Sequence, residues 1–271
     1  MGDPVRYRSQ HRHRRGGDPH RHLELAGRLM DGNYKPYNHV SSSDRIQSIL
    51  DQPAGAFEET DSLPDRDRLT FTNGFYSTCS AIFIDVRDSS GLTAKHKRPT
   101  LAKIYRAFIS EMVAVLNSIP NVREVSIVGD CVWAVYNTPI RSDITEVFAV
   151  ACRANTLLKL LNHHYAKKDI GGLKIGIGVD DGRALMIKAG FSGSGINDVV
   201  YMGDVVNSAA HLAHEAGRGR RPPIYVGGDV YANLDSEDQG WLSSTYLPGH
   251  GTVYSGDVIV NDMNEYVDSL T

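Results

Sequence analysis

Between Tyr76 and Ile187 the chain alternates between two hydrophobic periods, and that alternation limits the fold more than any other feature. Tyr76 to Val86 reads as a strand. Ile104, Phe108, Met112 and Leu116 then recur every four residues, the spacing of a long helix with one buried stripe. Val122 to Val128 and Cys131 to Tyr136 flank Gly129-Asp130 and read as a hairpin. Val147, Ala151, Ala154, Leu158 and Leu161 mark a second helix, and LKIGIGVDDGRALMI predicts two strands about Asp181-Gly182.

The order is βαββαβ with an extra strand, which predicts an α+β, ferredoxin-like plan with two helices packed on one face of an antiparallel sheet. Downstream, YMGDVVNSAAHLAHEAG predicts a third helix starting near Gly203, with Val206, Ala210 and Ala213 as its buried stripe and Gly217 as its stop. PPIYVGG predicts another strand, and GTVYSGDVIVNDMNEYV predicts a closing hairpin. Residues 70–271 therefore read as one catalytic-sized domain. Residues 25–69 read as a helical and loop extension in which Ser43 caps a helix carrying Ile46, Ile49 and Leu50. Residues 1–24 are rich in Arg, His, Gly and Pro, so they cannot bury enough surface to fold alone and read as a flexible tail.

Composition excludes several classes. With 271 residues and 41% hydrophobic content the chain can build a real core. A formal net charge of -3 gives no global bias toward nucleic acid or anionic membrane. No apolar run approaches the roughly 18 residues of a membrane span, and the basic N-terminus has no apolar segment behind it, so a cytoplasmic location is expected. Cys79, Cys131 and Cys152 lie in apolar contexts without metal-ligand spacing and are expected in the core.

The stretch AIFIDVRDSSGL raises a specific question, because Asp85 sits in an otherwise apolar strand and a buried carboxylate is costly without a cation. Asp85 ends the first strand and Asp130 tips the hairpin beside it. Two adjacent carboxylates repel, and divalent cations such as Mg²⁺, which favour hard oxygen ligands and share their remaining positions with phosphates, would reconcile them. The loop RDSSG opens a helix and offers backbone N–H groups to a phosphate chain, with Arg87, Ser89 and Ser90 at hand.

Those residues carry a resemblance. FIDVRDSSGL, VSIVGDCVWAVY, LKIGIGVDDGRALM and VVYMGDVVNSAAHLA resemble, in order and spacing, the successive motifs of class III nucleotidyl cyclases. The resemblance covers about Tyr76 to Gly228. It implies a homodimer with active sites at the interface that converts a nucleoside triphosphate to a 3′,5′-cyclic nucleotide and pyrophosphate. It also implies that Asp85, Val86 and Asp130 hold two ions, Mg²⁺ or Mn²⁺, per site, and that Asn207 reaches in from the other chain to stabilise the transition state.

The departures carry information. Where the family's purine enzymes have a base-reading Lys or Glu, this chain has Ser126, and the second base-reading position is Val200. A polar purine edge facing Val200 would be left unpaired, which disfavours purines. The family's transition-state arginine is here His211, with Arg218, Arg220 or Arg221 as substitutes from the following loop. The usual triphosphate lysine is not evident, leaving Arg87 and, more weakly, Lys188. This pattern resembles the pyrimidine cyclases of bacterial Pycsar anti-phage systems, which implies cyclic UMP or cyclic CMP as product and an effector activated by it. In those enzymes an aromatic residue before the first metal aspartate is associated with uracil selection, implying Tyr76 here with Phe75 as its competitor. UTP is expected over CTP. A purine cyclase with a relaxed pocket and a non-catalytic nucleotide-binding module are the alternatives.

Overall fold

The computed structural model describes residues 32–270. The expected tail at 1–24 lies outside them. Elements follow in the order α1 (His39–Leu50), β1 (Phe57–Glu59), β2 (Gly74–Val86), α2 (Ser89–Lys95), α3 (Arg98–Leu116), β3 (Val122–Val128), β4 (Cys131–Asn137) and α4 (Arg141–Ala166). Then come β5 (Ile175–Phe191), β6 (Ile196–Met202), α5 (Asp204–Glu215), β7 (Ile224–Val226), α6 (Gly228–Asn233), α7 (Ser236–Gly240), β8 (Ser243–Leu247), β9 (Gly251–Gly256) and α8 (Asn261–Ser269).

One sheet runs in the order β3-β4-β2-β5-β7-β9-β8, with β1 alongside β2 and β6 alongside β5. The central four strands are antiparallel and have the ferredoxin-like order. The first strand's neighbours are β4 and β5, whereas β3 lies at the edge, so the hairpin's second strand is the one beside Asp85. Side chains alternate between faces along each strand. Ile82, Ile84, Val132, Ala134, Ile177 and Val179 point to the face covered by α3 and α4, where they meet Ile104, Phe108, Met112, Val147 and Ala151 in a fully buried cluster. The hydroxyls of Tyr136 and Tyr165 donate to the carbonyls of Leu116 and Ile104, so each aromatic body is buried without orphaning its polar end.

The opposite face holds a smaller cluster that includes Phe75, Cys79, Ala81, Val135, Ala184, Val205 and Ala209. Helix α5 reaches it by lying over Gly176 and Gly178, where added Cβ atoms would stand 2.4 Å from the Ala213 carbonyl oxygen and 2.1 Å from that of Ala209. This close approach rotates the buried stripe to Val205, Ala209, Leu212 and Ala213, one residue from the expected Val206 and Ala210, which are half-buried.

Three further expectations are corrected. LKIGIGVDDGRALMI is a single stretch of β5, paired without interruption to β2 from Asp85↔Gly176 to Gly74↔Ile187. Asp181 tolerates the strand interior because its carboxylate accepts the hydroxyls of Ser80 at 2.6 Å and Thr138 at 2.8 Å. The chain reverses later, between Phe191 and Ile196, to make β6. The C-terminal hairpin is β8 with β9, while Val260, Met263, Val267 and Leu270 fall at helical spacing and the last segment is α8. Helix α1 starts at His39, earlier than a Ser43 cap allows, because the Asn38 side chain accepts the Val40 and Ser41 N–H groups. Its Ile46, Ile49 and Leu50 share one side and are exposed. Among the described residues no helix is long and apolar enough to cross a membrane.

Candidate active site

The end of β2 and the β3–β4 turn meet because Asp85 pairs directly with Cys131, the residue after Asp130. Gly129 adopts φ +64, the left-handed geometry that the tight hairpin tip requires. Asp85, Val86, Arg87, Asp88, Ser89, Ser90 and Asp130 together line a cavity of about 390 Å³, completed by His214 and Arg218 from the end of α5. The structure thus brings Asp85, Val86, Arg87, Ser89, Ser90 and Asp130 together at one end of the sheet. Asp88 enters the loop at φ 53, a conformation that aspartate tolerates better than most residues.

Arg87 answers part of the Asp85 question. Its Nη2 donates to an Asp85 carboxylate oxygen at 3.0 Å and to the Ala213 carbonyl at 2.8 Å, while Nη1 donates to the His214 carbonyl at 2.9 Å. The guanidinium is buried, so it anchors Asp85 to the C-terminal carbonyls of α5 and is not presented to a phosphate chain as expected. Arg218 stands on the cavity rim, where its Nη2 contacts the His214 ring at 3.0 Å. Lys188 sits elsewhere, its Nζ 5.2 Å from the centre of the Phe71 ring.

Burial raises the pKa of Asp85 above the ordinary carboxylate range; Arg87 pulls it back and Asp130 pushes it up again. Asp85 is thus a half-buried carboxylate with one oxygen held by arginine and a second carboxylate, Asp130, lining the same cavity. The Asp85 and Asp130 carboxylates and the Val86 carbonyl are hard oxygen donors, too few to close a coordination shell alone, and this suits a hard divalent cation that takes its remaining ligands from phosphate and water. Among the described residues no group of three or more His, Cys, Asp or Glu side chains forms an all-protein metal cage.

Ser126 and Val200 lie on β3 and β6. Arg66 connects these strands, bonding Glu124 at 2.7 Å and also Asp198, and the two bridged carboxylates are each two residues along the strand from Ser126 and Val200. The Ser126 hydroxyl donates to Glu124, which is buried. Tyr76 is not brought to Asp85 within the chain. Nine residues of strand place it roughly 30 Å away, and the odd offset turns it to the other face, where the Arg183 guanidinium covers its ring. Phe75 shares the face of Asp85 but is buried in the core. Asn207 and His211 are exposed on α5, with the His211 ring 5.4 Å from that of His250, and neither lines the Asp85 cavity. Sequence reasoning passed over Arg66 and Glu124, whose pairing joins positions far apart in the chain, and Trp133, which stacks on Phe83 beside Ser126.

Comparison with known proteins identifies the family. Residues 72–252 match the family described as adenylate and guanylate cyclase catalytic domain. A uridylate cyclase of Gulbenkiania mobilis is 48% identical over 87% of this chain and 99% of its own length. A uridylate cyclase of Treponema porcinum is 36% identical over 86% of this chain and 81% of its own. Among solved structures, the adenylyl cyclase CyaB from P. aeruginosa superimposes with a TM-score of 0.56 at 18% identity, covering 67% of this chain and 94% of that one. The guanylyl cyclase Cya2 does so at 0.57 and 12% identity, covering 69% and 95%. At such identities these structures speak for the fold alone. Use of divalent metal ions is general to the family. From motif order, sheet topology and paired carboxylates alike, the chain belongs to the class III adenylate and guanylate cyclase catalytic domain family.

Proposed function

We propose that this protein converts UTP, in preference to CTP, to the 3′,5′-cyclic nucleotide and pyrophosphate. The observation that carries the reading is the pairing of an intact carboxylate site, Asp85 with Asp130, with a base-reading pair, Ser126 and Val200, that offers neither a purine-reading Lys nor a Glu. The two uridylate cyclases, each similar over most of this chain, support it.

In the reaction the ribose 3′-oxygen attacks the α-phosphorus, its proton leaves, and the bond from the α-phosphorus to the bridging oxygen breaks to release pyrophosphate. Asp85, Asp130 and the Val86 carbonyl would hold two Mg²⁺ or Mn²⁺ ions, which when bound acidify the 3′-hydroxyl and neutralise the triphosphate. Arg87 keeps Asp85 aimed. Ser89, Ser90 and Arg218 line the phosphate end. Asn207 and His211, remote from the cavity in their own chain, serve the site of a second copy in a homodimer. That division of labour makes the single chain incomplete. Tyr76 belongs to the same reading only if the partner brings a nucleotide to its end of the strand. The product acts in the cytoplasm as a second messenger to an effector in anti-phage defence.

Incubation of the purified protein with ATP, GTP, CTP or UTP and either metal, with products resolved by chromatography, tests the reading. A dominant cyclic UMP peak is the expected result. A dominant purine product would overturn the pyrimidine assignment. A mixture of inactive Asp85→Ala and inactive Asn207→Ala chains should regain activity, and failure of that complementation would reject the shared site.

A further inference from the structure

On the face of the sheet that carries Asp85, the smaller apolar cluster is sealed at one end by Phe75, Leu63 and Leu69 and open at the other. The open end is a pair of rings. Phe83 of β2 and Trp133 of β4 stack with centroids 5.0 Å apart and planes 6° apart. Both are half-buried. The register sets Trp133 directly across from Phe83 on one side and from Ser126 on the other. Directly paired residues share a face, so a flat aromatic platform lies against the small side chain at the base-reading position.

We propose that Trp133 is the size filter of the base pocket and excludes purines from it. A serine at position 126 makes the pocket roomier than one with a long lysine or glutamate, and extra room alone would admit the larger bases. The indole stands directly across from that serine and stacks on Phe83; in this proposal it takes up the extra room, so that a single six-membered ring stacks against the pair and a fused bicycle does not. The small side chain is held in place: Glu124, two residues away on the same face of β3, accepts the Ser126 hydroxyl and pairs with Arg66. This inference rests on the pyrimidine cyclase reading and adds the residue that enforces it.

The test is the ratio of kcat/KM for ATP and GTP to that for UTP in Trp133→Leu and Trp133→Phe. The leucine variant should raise the purine-to-uridine ratio by about tenfold or more, the scale at which an apolar pocket discriminates by size, whereas phenylalanine, which keeps a stacked ring, should shift it less. A folded leucine variant that cyclises UTP with the wild-type ratio overturns the proposal while leaving the uridine reading intact. Wild-type protein that forms no cyclic UMP removes both. A second readout does not need the leucine variant to fold. The chain has two tryptophans, so Trp241→Phe leaves Trp133 as the sole indole emitter. Saturating 3′-deoxy-UTP with Mg²⁺ should change its fluorescence with the concentration dependence of inhibition, and an unchanged spectrum at saturation would reject the stacked base.

Discussion

The two faces of the central sheet are built from the same strands and treat their residues in opposite ways. On the face under α3 and α4, Ile82, Ile84, Val132 and Ala134 are completely buried against Phe108 and Met112. On the other face the intervening positions include Phe83, Asp85, Ser126 and Trp133, half-buried or carrying polar groups that the chain does not cover. A period of two lets one strand meet two demands, because every change of residue on one face is invisible to the other. Stability is concentrated where the apolar area is closed, and the chemistry sits where closure stops.

If that separation holds, the two faces can be damaged independently. The largest effect is expected from Asp85→Ala, which should lower turnover by at least about a thousandfold, since several kcal/mol of metal-derived stabilisation goes with it, while its thermal midpoint stays close to wild type. Pyrophosphate release and thermal denaturation on the same preparation check this, and a collapse of the midpoint would join the two faces. Phe108→Ala is the reverse experiment. It should cost about 3–5 kcal/mol in denaturant unfolding, the usual price of emptying a buried aromatic site, with near-normal kcat in the fraction that remains folded. Gly178→Ala probes the seam between the faces: its Cβ would meet the Ala209 carbonyl, so α5 must shift. A loss of about 1–3 kcal/mol should come with a fall in activity beyond the loss of folded protein, because the same helix carries Asn207.

The smallest effect concerns Asp181, where the closed face admits a carboxylate. Burial raises its pKa, and the Ser80 and Thr138 hydroxyls only partly oppose this. The folded state therefore takes up its proton at higher pH than the unfolded chain does, and the ionised form weakens the fold. The stability of wild type relative to Asp181→Asn should be lowest at neutral pH and should rise as pH falls through the raised pKa toward the ordinary value of 3.8. Urea unfolding of both proteins across that range decides it. A difference that stays flat with pH would mean that the hydroxyls fully compensate the charge.

What could be read from the chain follows from how far each interaction reaches along it. The α3 stripe, the β3–β4 hairpin and the approach of Asp130 to Asp85 depend on short-range periodicity and one turn, and all were legible. Asp181-Gly182 was misread as a turn because the hydroxyls that satisfy the aspartate come from β2 and from the segment after β4. Tyr76 stands an odd number of residues before Asp85, and an odd offset along a strand changes face, which only the pairing of β2 with β5 makes visible. Arg87 looked like a phosphate ligand from its loop, but the α5 carbonyls that claim it lie far downstream. The same holds for Arg66, whose two carboxylates sit on β3 and β6.

The long pairing of β2 with β5 also sets the order in which the molecule can come into being. Gly74 finds Ile187, and Asp85 finds Gly176, only after the intervening hairpin and both covering helices have left the ribosome. Contacts of such sequence separation form slowly, because loop closure must precede any reward. The carboxylate end of β2 is thus assembled late, after local elements that can form by themselves. A chain interrupted before β5 would lack the strand against which Asp85 is registered, and synthesis itself delays the appearance of a competent site until the sheet is whole.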